Sequence, residues 1–214
     1  TDRELTSLVY SGLTRPDADG QFLPTLASEY KVSDDGTIYT FTLRDNATFH
    51  DGTPVTAEDI VFTVRMVQDP AVKSPRRAQW EGVSVTAIDQ NHVEFTLKQP
   101  YAAFISNTHL GILPKHLWQD VTAEEFPYSN LNLHPVGSGP YKIRSVKLGE
   151  GGLVERILFR SFNNFSLSKP YISEIVAVFF SNERDRLSAL DRNDIDSAAN
   201  LSEESATSLK EKNI

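Results

Sequence analysis

Cysteine is absent from this chain of 214 residues, and its sequence contains no long apolar run. Without cysteine, disulfide cross-links and zinc sites built on thiolates are excluded. The absence fits an exported bacterial protein that avoids free thiols, but it fits many cytosolic proteins equally. Because a transmembrane helix needs roughly 20 apolar residues, none is expected here. The first residues, Thr1–Glu4, do not resemble the start of a signal peptide.

Positive charge is also scarce. The sequence has 21 lysines and arginines and 29 acidic residues, which gives a formal charge of −8. Since no basic stripe is available to neutralise phosphates, nucleic acid is not expected as a partner. The five histidines lack the paired spacing of zinc sites, so no metal or cofactor is predicted. The basic loop at 71–80, with Lys73, Arg76 and Arg77, is interpreted either as a solvated surface or as a rim that meets an acidic ligand.

Catalytic patterns are missing as well. Paired acids such as Asp34-Asp35 and Glu203-Glu204 lie at predicted turns and helix starts, where capping explains them better than acid–base chemistry. The segment Gly137-Ser138-Gly139 is not a nucleophile elbow, and Pro140 removes an amide close to where an oxyanion hole would form. The sequence therefore predicts a protein that is not an enzyme.

The stretch Val32–Val64 contains the strongest structural signals. Asp34-Asp35-Gly36 predicts a hairpin turn, and the following residues, Ile38–Leu43, alternate in character as the side chains of a strand do. A second break is predicted at His50–Pro54, where glycine tolerates a positive φ and proline fixes its own. A helix should then begin, with its N-cap, capping partner and apolar face at Thr56, Asp59, Ile60, Val61, Val64 and Val67.

The other elements follow from similar signals. Helices are predicted at Arg3–Leu13, Glu183–Arg192 and Leu201–Ile214, and hairpins join Val83–Asp89 to His92–Lys98 and Tyr141–Leu148 to Leu153–Phe159. The last helix has Ser202 as its predicted N-cap, with Lys210 and Lys212 in its last turn. A nearly continuous apolar run at Ser173–Ser181 predicts a strand that is buried on both faces of an α/β sheet.

Residues Asp34–Phe62 carry the ordered string D-D-G-x-x-Y-T-F-x-L-R-x-x-x-x-F-H-D-G-T-P-V-T-A-E-D-I-V-F. This string resembles the signature of the family 5 extracellular solute-binding proteins, which are the oligopeptide, dipeptide and nickel receptors of ABC importers. Ile112–Trp118 is similar to the family's I-x-P-K-H-x-W/L segment, and Pro135–Lys142 is similar to P-V-G-T/S-G-P-Y-K/R. The chain departs from the pattern at Ser11, where the family usually has glutamate, and at Asn193, where it has glycine.

The resemblance implies an α/β fold: a lobe of the type II periplasmic-binding-protein kind with an inserted α+β subdomain, as in dipeptide-binding proteins. It maps residues 1–11 and 136–200 to a discontinuous first ligand lobe and residues 12–135 to the inserted subdomain. Residues 201–214 would begin the connection to a second lobe, which is expected to be missing from this chain. The resemblance also implies an export signal peptide in the precursor.

The function implied by the resemblance is capture of a peptide, or a similar small solute, between two lobes for delivery to an ABC transporter permease in the membrane. Such a protein would be a monomer, located in the bacterial periplasm or held at the cell surface as a lipoprotein. The candidate ligand-binding residues are Trp80, Gly137, Ser138 and Gly139, although a purely structural role remains an alternative for each. A ligand-sensing domain of the same fold in a transcription regulator is the alternative function.

Overall fold

The computed structural model describes residues 2–211, so Thr1 and the predicted helix end at 212–214, which includes Lys212, lie outside the described residues. The helices are α1 (Asp2–Val9), α2 (Ala57–Gln68), α3 (Lys115–Trp118), α4 (Glu183–Asp191) and α5 (Glu203–Glu211). The strands are β1 (Thr14–Pro16), β2 (Phe22–Pro24), β3 (Ala27–Val32), β4 (Ile38–Leu43), β5 (Ser84–Ala87), β6 (His92–Thr96), β7 (Tyr141–Leu148), β8 (Val154–Ser161) and β9 (Glu174–Val178).

The largest sheet is antiparallel and has the strand order β3-β4-β6-β5. The predicted turn before β4 is confirmed, with Gly36 at a φ of +70°, and β4 alternates in burial along its length as predicted. Helix α2 packs its apolar face on β5 and β6. The resulting core buries side chains that include Tyr39, Phe41, Leu43, Ile60, Val64, Val93 and Phe95. Both predicted hairpins of the later chain are also confirmed.

The start of α2 is held by Asp59, a residue that is only 5% exposed. One carboxylate oxygen accepts hydrogen bonds from the N–H and the hydroxyl of Thr56, both at 2.8 Å. The other accepts from the N–H of Lys115 at 2.8 Å. The predicted pairing of Thr56 with Asp59 is therefore confirmed, and the same carboxylate joins α2 to the first residue of α3, 56 positions further on.

Replacing Asp59 with alanine is expected to lower the free energy of unfolding by about 2–3 kcal/mol, because two N–H groups would lose the carboxylate that satisfies them. Chemical denaturation measures the change. Glu58→Ala is the matched control, since Glu58 lies in the same helical turn but is exposed, and its ion pair with Lys115 at 3.0 Å is worth roughly 0–1 kcal/mol. Equal losses in the two variants would contradict the role given to Asp59.

The second sheet is a three-stranded antiparallel sheet of order β7-β8-β9, and α1 packs on β7. Val9, Tyr141 and Phe159 form its buried centre. The prediction that Ser173–Ser181 is buried on both faces is wrong, because none of its residues is fully buried and Val176 is 48% exposed. Within the described residues β9 pairs only with β8, and its partly buried Ile175 and Ala177 pack toward the centre of this sheet.

The helices predicted at Glu183–Arg192 and Leu201–Ile214 are confirmed within the described residues. The first helix is shorter than predicted. Helix α1 ends at Val9 rather than Leu13, because the carbonyls of Ser11 and Gly12 accept hydrogen bonds from the N–H groups of Ile112 and Leu26 instead of continuing the helix. At the end of α4, Asn193 takes the expected left-handed conformation, with a φ of +58°. The Ser202 hydroxyl accepts the N–H of Ser205, as expected of the residue that caps α5. In residues 2–211 no helix combines the length and apolar character needed to cross a membrane.

Two apolar cores therefore lie in different parts of the chain. One is built from residues between Leu13 and Ile112, and the other from Val9, Tyr141 and Phe159. The chain passes between these two parts near Val9–Gly12 and again near Gly137–Pro140. The division of the chain at residues 11/12 and 135/136 stays a prediction.

Candidate functional site

The two segments that connect the two parts of the chain, Val9–Gly12 and Gly137–Pro140, lie side by side. The N–H of Gly139 donates to the carbonyl of Val9 at 2.8 Å, and the Ser11 hydroxyl donates to the carbonyl of Ser138 at 3.2 Å. Gly137, Ser138 and Gly139 are all buried. A β-carbon on Gly139 would meet the carbonyl oxygen of Leu8 at 2.5 Å, so the close approach requires glycine. We call this contact of Val9–Ser11 with Gly137–Gly139 the crossing. It contains three of the predicted site residues, and its packing is tight.

His50 binds this crossing at three points. Its backbone N–H donates to the Gly137 carbonyl at 2.8 Å. Its ring nitrogen Nδ1 accepts the N–H of Gly137 at 3.3 Å, and Nε2 lies 3.0 Å from the Gly139 carbonyl. Because an N–H can only donate and a carbonyl can only accept, the imidazole is neutral and carries its proton on Nε2. Phe162 packs edge-on against the ring at 4.9 Å.

Burial lowers the pKa of His50 to about 4. The hydrogen bond to Gly139 and the charge of Asp51 oppose this shift, whereas the nearby charge of Lys142 adds to it. The protonated ring would lose its acceptor for Gly137. His50 therefore holds the crossing only in its neutral form.

Stability is expected to fall as the pH is lowered from about 6.5 to 4, because the unfolded chain then binds a proton at His50 that the native protein rejects. The loss should reach about 2–3 kcal/mol by pH 4, from about 1.4 kcal/mol for each unit of pKa shift. Denaturant titrations at a series of pH values measure it. His50→Gln should flatten the dependence over this range, and an unchanged slope in the variant would contradict the assignment.

A cavity of about 400 Å³ lies where the two parts of the chain meet. Its walls come from α1, the segment after Leu110, the irregular segment 126–135 and the second sheet. Apolar side chains predominate, and the lining comprises Leu5, Thr6, Val9, Tyr10, Arg76, Leu110, Gly111, Leu113, Trp118, Phe126, Asn132, Pro135, Ile143, Ile157 and Phe159. A concave apolar site with a few polar groups at a junction is typical of small-molecule binding sites.

Tyr10 connects the crossing with the cavity. Its side chain lies against Gly137 on one side and Gly111 on the other, where a β-carbon would approach to 3.0 and 2.7 Å respectively. Burial raises the pKa of Tyr10 to about 12, so the phenol stays protonated. The two glycines therefore allow an aromatic side chain to form part of the cavity wall.

Arg76 is the cationic side chain of the cavity lining. Its Nη1 lies 3.1 Å from Nε2 of His109, which comes from a different segment 33 residues away. The other ring nitrogen of His109 is hydrogen-bonded to the carbonyl of Ser106. Phe22 packs against the His109 ring with centroids 5.9 Å apart. The basic loop thus contributes one side chain to the cavity, and the Arg77 side chain is exposed.

Trp80 lies elsewhere, in the core of the larger sheet. It is 1% exposed and packs against Phe95 and Phe104 at centroid distances of 5.9 and 5.8 Å. Its indole N–H is buried and has no hydrogen-bond partner among residues 2–211. Trp80 is not among the residues that line the cavity, and its placement fits the core role that was the alternative to a place in a ligand-site wall.

Residues 21–214 match the sequence model described as "Bacterial extracellular solute-binding proteins, family 5 Middle". The chain belongs to this family. It is 31% identical over 195 residues to the probable D,D-dipeptide-binding periplasmic protein DdpA of Escherichia coli K12, a match that covers 88% of this chain and 36% of the relative. The chain thus spans about a third of the length of the curated relatives it matches.

Solved structures of the family share the fold. NikZ from Campylobacter jejuni, in complex with Ni(L-His), superimposes with a TM-score of 0.80 at 32% identity, covering 89% of this chain and 37% of NikZ. The oligopeptide-binding protein AppA from Bacillus subtilis, in complex with a nonapeptide, gives a TM-score of 0.82 at 26% identity over 90% and 38% of the two chains. The predicted type II periplasmic-binding-protein fold is confirmed for this family 5 chain.

The sequence motif of this family 5 chain points to Gly137–Gly139, but no sequence signal identifies the residues that hold this segment in place. The sequence indicates His50 only as the first residue of the break at His50–Pro54. The pairing of Arg76 with His109 was also missed, since the two residues belong to segments with no shared pattern. The cluster of basic residues at 71–80 was the one signal that pointed to this part of the site.

Proposed function

We propose that this chain is part of the substrate-binding protein of an ABC importer, which captures a small solute, such as a peptide, and delivers it to a membrane permease. The observation that carries the proposal is the family match over residues 21–214. Relatives named or solved as binding proteins for a dipeptide and a nonapeptide support a peptide, whereas Ni(L-His) in NikZ supports a wider range of small solutes. No observation favours a sensor domain of a regulator.

The cavity beside Tyr10 and Arg76 is the proposed contribution of this chain to the solute site. It lies between the two parts of the chain, and its apolar walls with a few polar groups suit a small solute. Gly137, Ser138 and Gly139 would form the rigid backbone beneath it, since Gly137 packs against Tyr10 and His50 is hydrogen-bonded to Gly137 and Gly139. Trp80 would act indirectly, by filling the core that supports this side of the site.

The opposing wall of the site would come from the part of such proteins that this chain does not span. The chain covers 37% of NikZ and 38% of AppA, so most of a full-length relative is available to close over a bound solute. The family is extracellular, and we place this protein in the periplasm or at the cell surface as a lipoprotein. We further propose that it acts as a monomer, without catalysis and without binding nucleic acid.

The proposal is tested with the protein at its full natural length. The purified protein is denatured, and the small molecules that it releases are identified by mass spectrometry. Recovery of short peptides would support a peptide receptor, and recovery of another solute would keep solute binding but remove the peptide. A protein that releases nothing and is stabilised by no solute in a thermal-shift screen would refute the proposal.

A further inference from the structure

A second concave site lies at one end of the larger sheet, where β5 begins and β6 ends. We call it the groove. It has a volume of about 730 Å³, and its walls are residues 78–83 on one side and residues 97–107 on the other. No described residue lines both the groove and the cavity beside Tyr10. The groove is therefore separate from the proposed solute site.

Hydrogen bonds hold the two walls of the groove in place. The side-chain amide of Gln68 donates to the carbonyls of Trp80 at 2.8 Å and Val83 at 2.7 Å. The side-chain amide of Asn107, on the opposite wall, donates to the carbonyl of Gln79 at 2.9 Å. These contacts fix the backbone of the first wall and tie the two walls together. The groove is thus preformed, as small-molecule sites usually are.

Tyr101 is the exposed aromatic residue of the groove. It is 53% exposed, although its backbone is fixed. Its carbonyl accepts hydrogen bonds from the N–H of Phe104 at 2.9 Å and from the hydroxyl of Tyr39 at 3.3 Å. A tyrosine on a fixed backbone offers a large contact surface and loses little conformational entropy on binding. The ring of Tyr101 therefore suits a ligand that has an apolar face.

The polar side chains of the groove balance each other in charge. Glu81 is the only acidic residue and Lys98 the only basic residue among the described residues that line it. Gln79 and Gln99 add two neutral amides, and each amide can both donate and accept. The Lys98 side chain lies across Gly82, with its Cδ and Cε 3.3 Å from the position of a β-carbon there. A neutral polar ligand fits this set better than an ion, which one of the two charged groups would repel.

A pyranose sugar combines the two properties that the groove requires. The C–H groups of its ring form an apolar face, which can pack on an aromatic side chain. Its hydroxyl groups each donate and accept, so they can pair with amides, with a carboxylate and with an ammonium group. The ring needs no net charge in its binding site.

We propose that the groove binds a neutral saccharide, with Tyr101 packed on the face of a sugar ring and Gln79, Glu81, Lys98 and Gln99 hydrogen-bonded to its hydroxyl groups. This gives the part of the chain around the larger sheet a binding site of its own. Through it, the protein would attach to a carbohydrate polymer while the cavity beside Tyr10 holds a solute. The inference goes beyond solute capture and does not depend on it.

The test uses three neutral trisaccharides and the protein at its full natural length. The probes are triacetylchitotriose, cellotriose and maltotriose, and binding is measured by calorimetry and by saturation-transfer nuclear magnetic resonance. At least one of them should bind with a dissociation constant below about 1 mM. Failure of all three to bind at concentrations up to about 10 mM would overturn the proposal.

Variants of Tyr101 show whether a bound trisaccharide occupies the groove. Tyr101→Ala should weaken binding roughly tenfold or more, whereas Tyr101→Phe, which keeps the ring, should stay within about threefold of the wild-type protein. Tyr128→Ala is the matched control, because Tyr128 is 87% exposed and is not a lining residue of the groove. Melting temperatures show that each variant is folded. Unchanged binding in Tyr101→Ala, or an equal loss in Tyr128→Ala, would contradict the assignment.

A final measurement separates the groove from the solute site. Solute that co-purifies with the protein is quantified after incubation with the trisaccharide and in the Tyr101→Ala variant. Retention of the solute in both cases is expected if the two sites are independent. Displacement of the solute by the trisaccharide would place the sugar in the cavity and overturn the proposal for the groove. A protein that binds a trisaccharide in the groove but carries no solute would leave this inference standing and count only against solute capture.

Discussion

Alanine in place of Gly137 is expected to lower the free energy of unfolding by at least about 3 kcal/mol. A β-carbon on Gly137 would lie 2.0 Å from the carbonyl oxygen of Val9 and 2.8 Å from its carbonyl carbon. These are backbone atoms, so no side-chain rotation can relieve the overlap. A shift of the crossing would also break the hydrogen bonds that the Gly137 carbonyl and N–H make with the backbone N–H and the ring Nδ1 of His50. The expected result is thus a loss of packing and hydrogen bonding together.

Urea denaturation followed by circular dichroism measures the loss for Gly137→Ala. Gly149→Ala is the matched control, because Gly149 has a φ of −94° and a β-carbon there would meet only ordinary contacts, the nearest at 3.6 Å from the Glu155 side chain. We expect the control to change stability by less than about 0.5 kcal/mol. If both variants unfold at the same urea concentration, the packing described for the crossing is wrong.

Truncation of Trp80 to alanine is expected to cost about 3–5 kcal/mol, the usual range when a buried aromatic side chain is removed from a core. Trp80 is among the largest fully buried side chains, and it fills the space between Phe95 and Phe104. Its loss would leave a cavity that the two rigid rings cannot close. Trp80→Phe should cost only about 1–2 kcal/mol, because most of the volume is kept and the indole N–H has no partner to lose in the part of the chain that the structure describes.

The same variants distinguish a core residue from a wall of the solute site. Stability is measured by denaturation and solute binding by calorimetry on the folded fraction. If Trp80 is a core residue, Trp80→Ala should lose much of its stability, and the more stable Trp80→Phe variant should bind the solute with nearly normal affinity. Loss of affinity with unchanged stability would instead make Trp80 part of the wall.

Local signals predicted the elements of the larger sheet correctly. The turn at Gly36, the alternating strand β4 and the capped start of α2 each depend on residues that are close together in the sequence, so their patterns are visible without the fold. The pairing of Thr56 with Asp59 is such a case. That Asp59 also binds the N–H of Lys115 could not be predicted, because it requires α3 to lie beside α2.

Two expectations failed where the length or burial of an element depended on its neighbours. The apolar run at Ser173–Ser181 indicated a strand buried on both faces, yet the strand that forms there is half-exposed and pairs on one side within the described residues. Helix α1 stopped four residues early because backbone groups of Ser11 and Gly12 bind Ile112 and Leu26 instead of continuing the helix. Hydrophobicity alone carries no information about such partners.

Turn, capping and periodicity signals, together with an ordered motif, were enough to predict the family, most of the helices and strands, and the place of the crossing at Gly137–Gly139. The fold was needed to find that His50 holds the crossing, that Trp80 lies in the core and that Arg76 contacts His109 at the cavity. Distance along the chain explains the difference. These contacts join residues between 15 and 89 positions apart, and only the packed fold brings their side chains within hydrogen-bonding or van der Waals range.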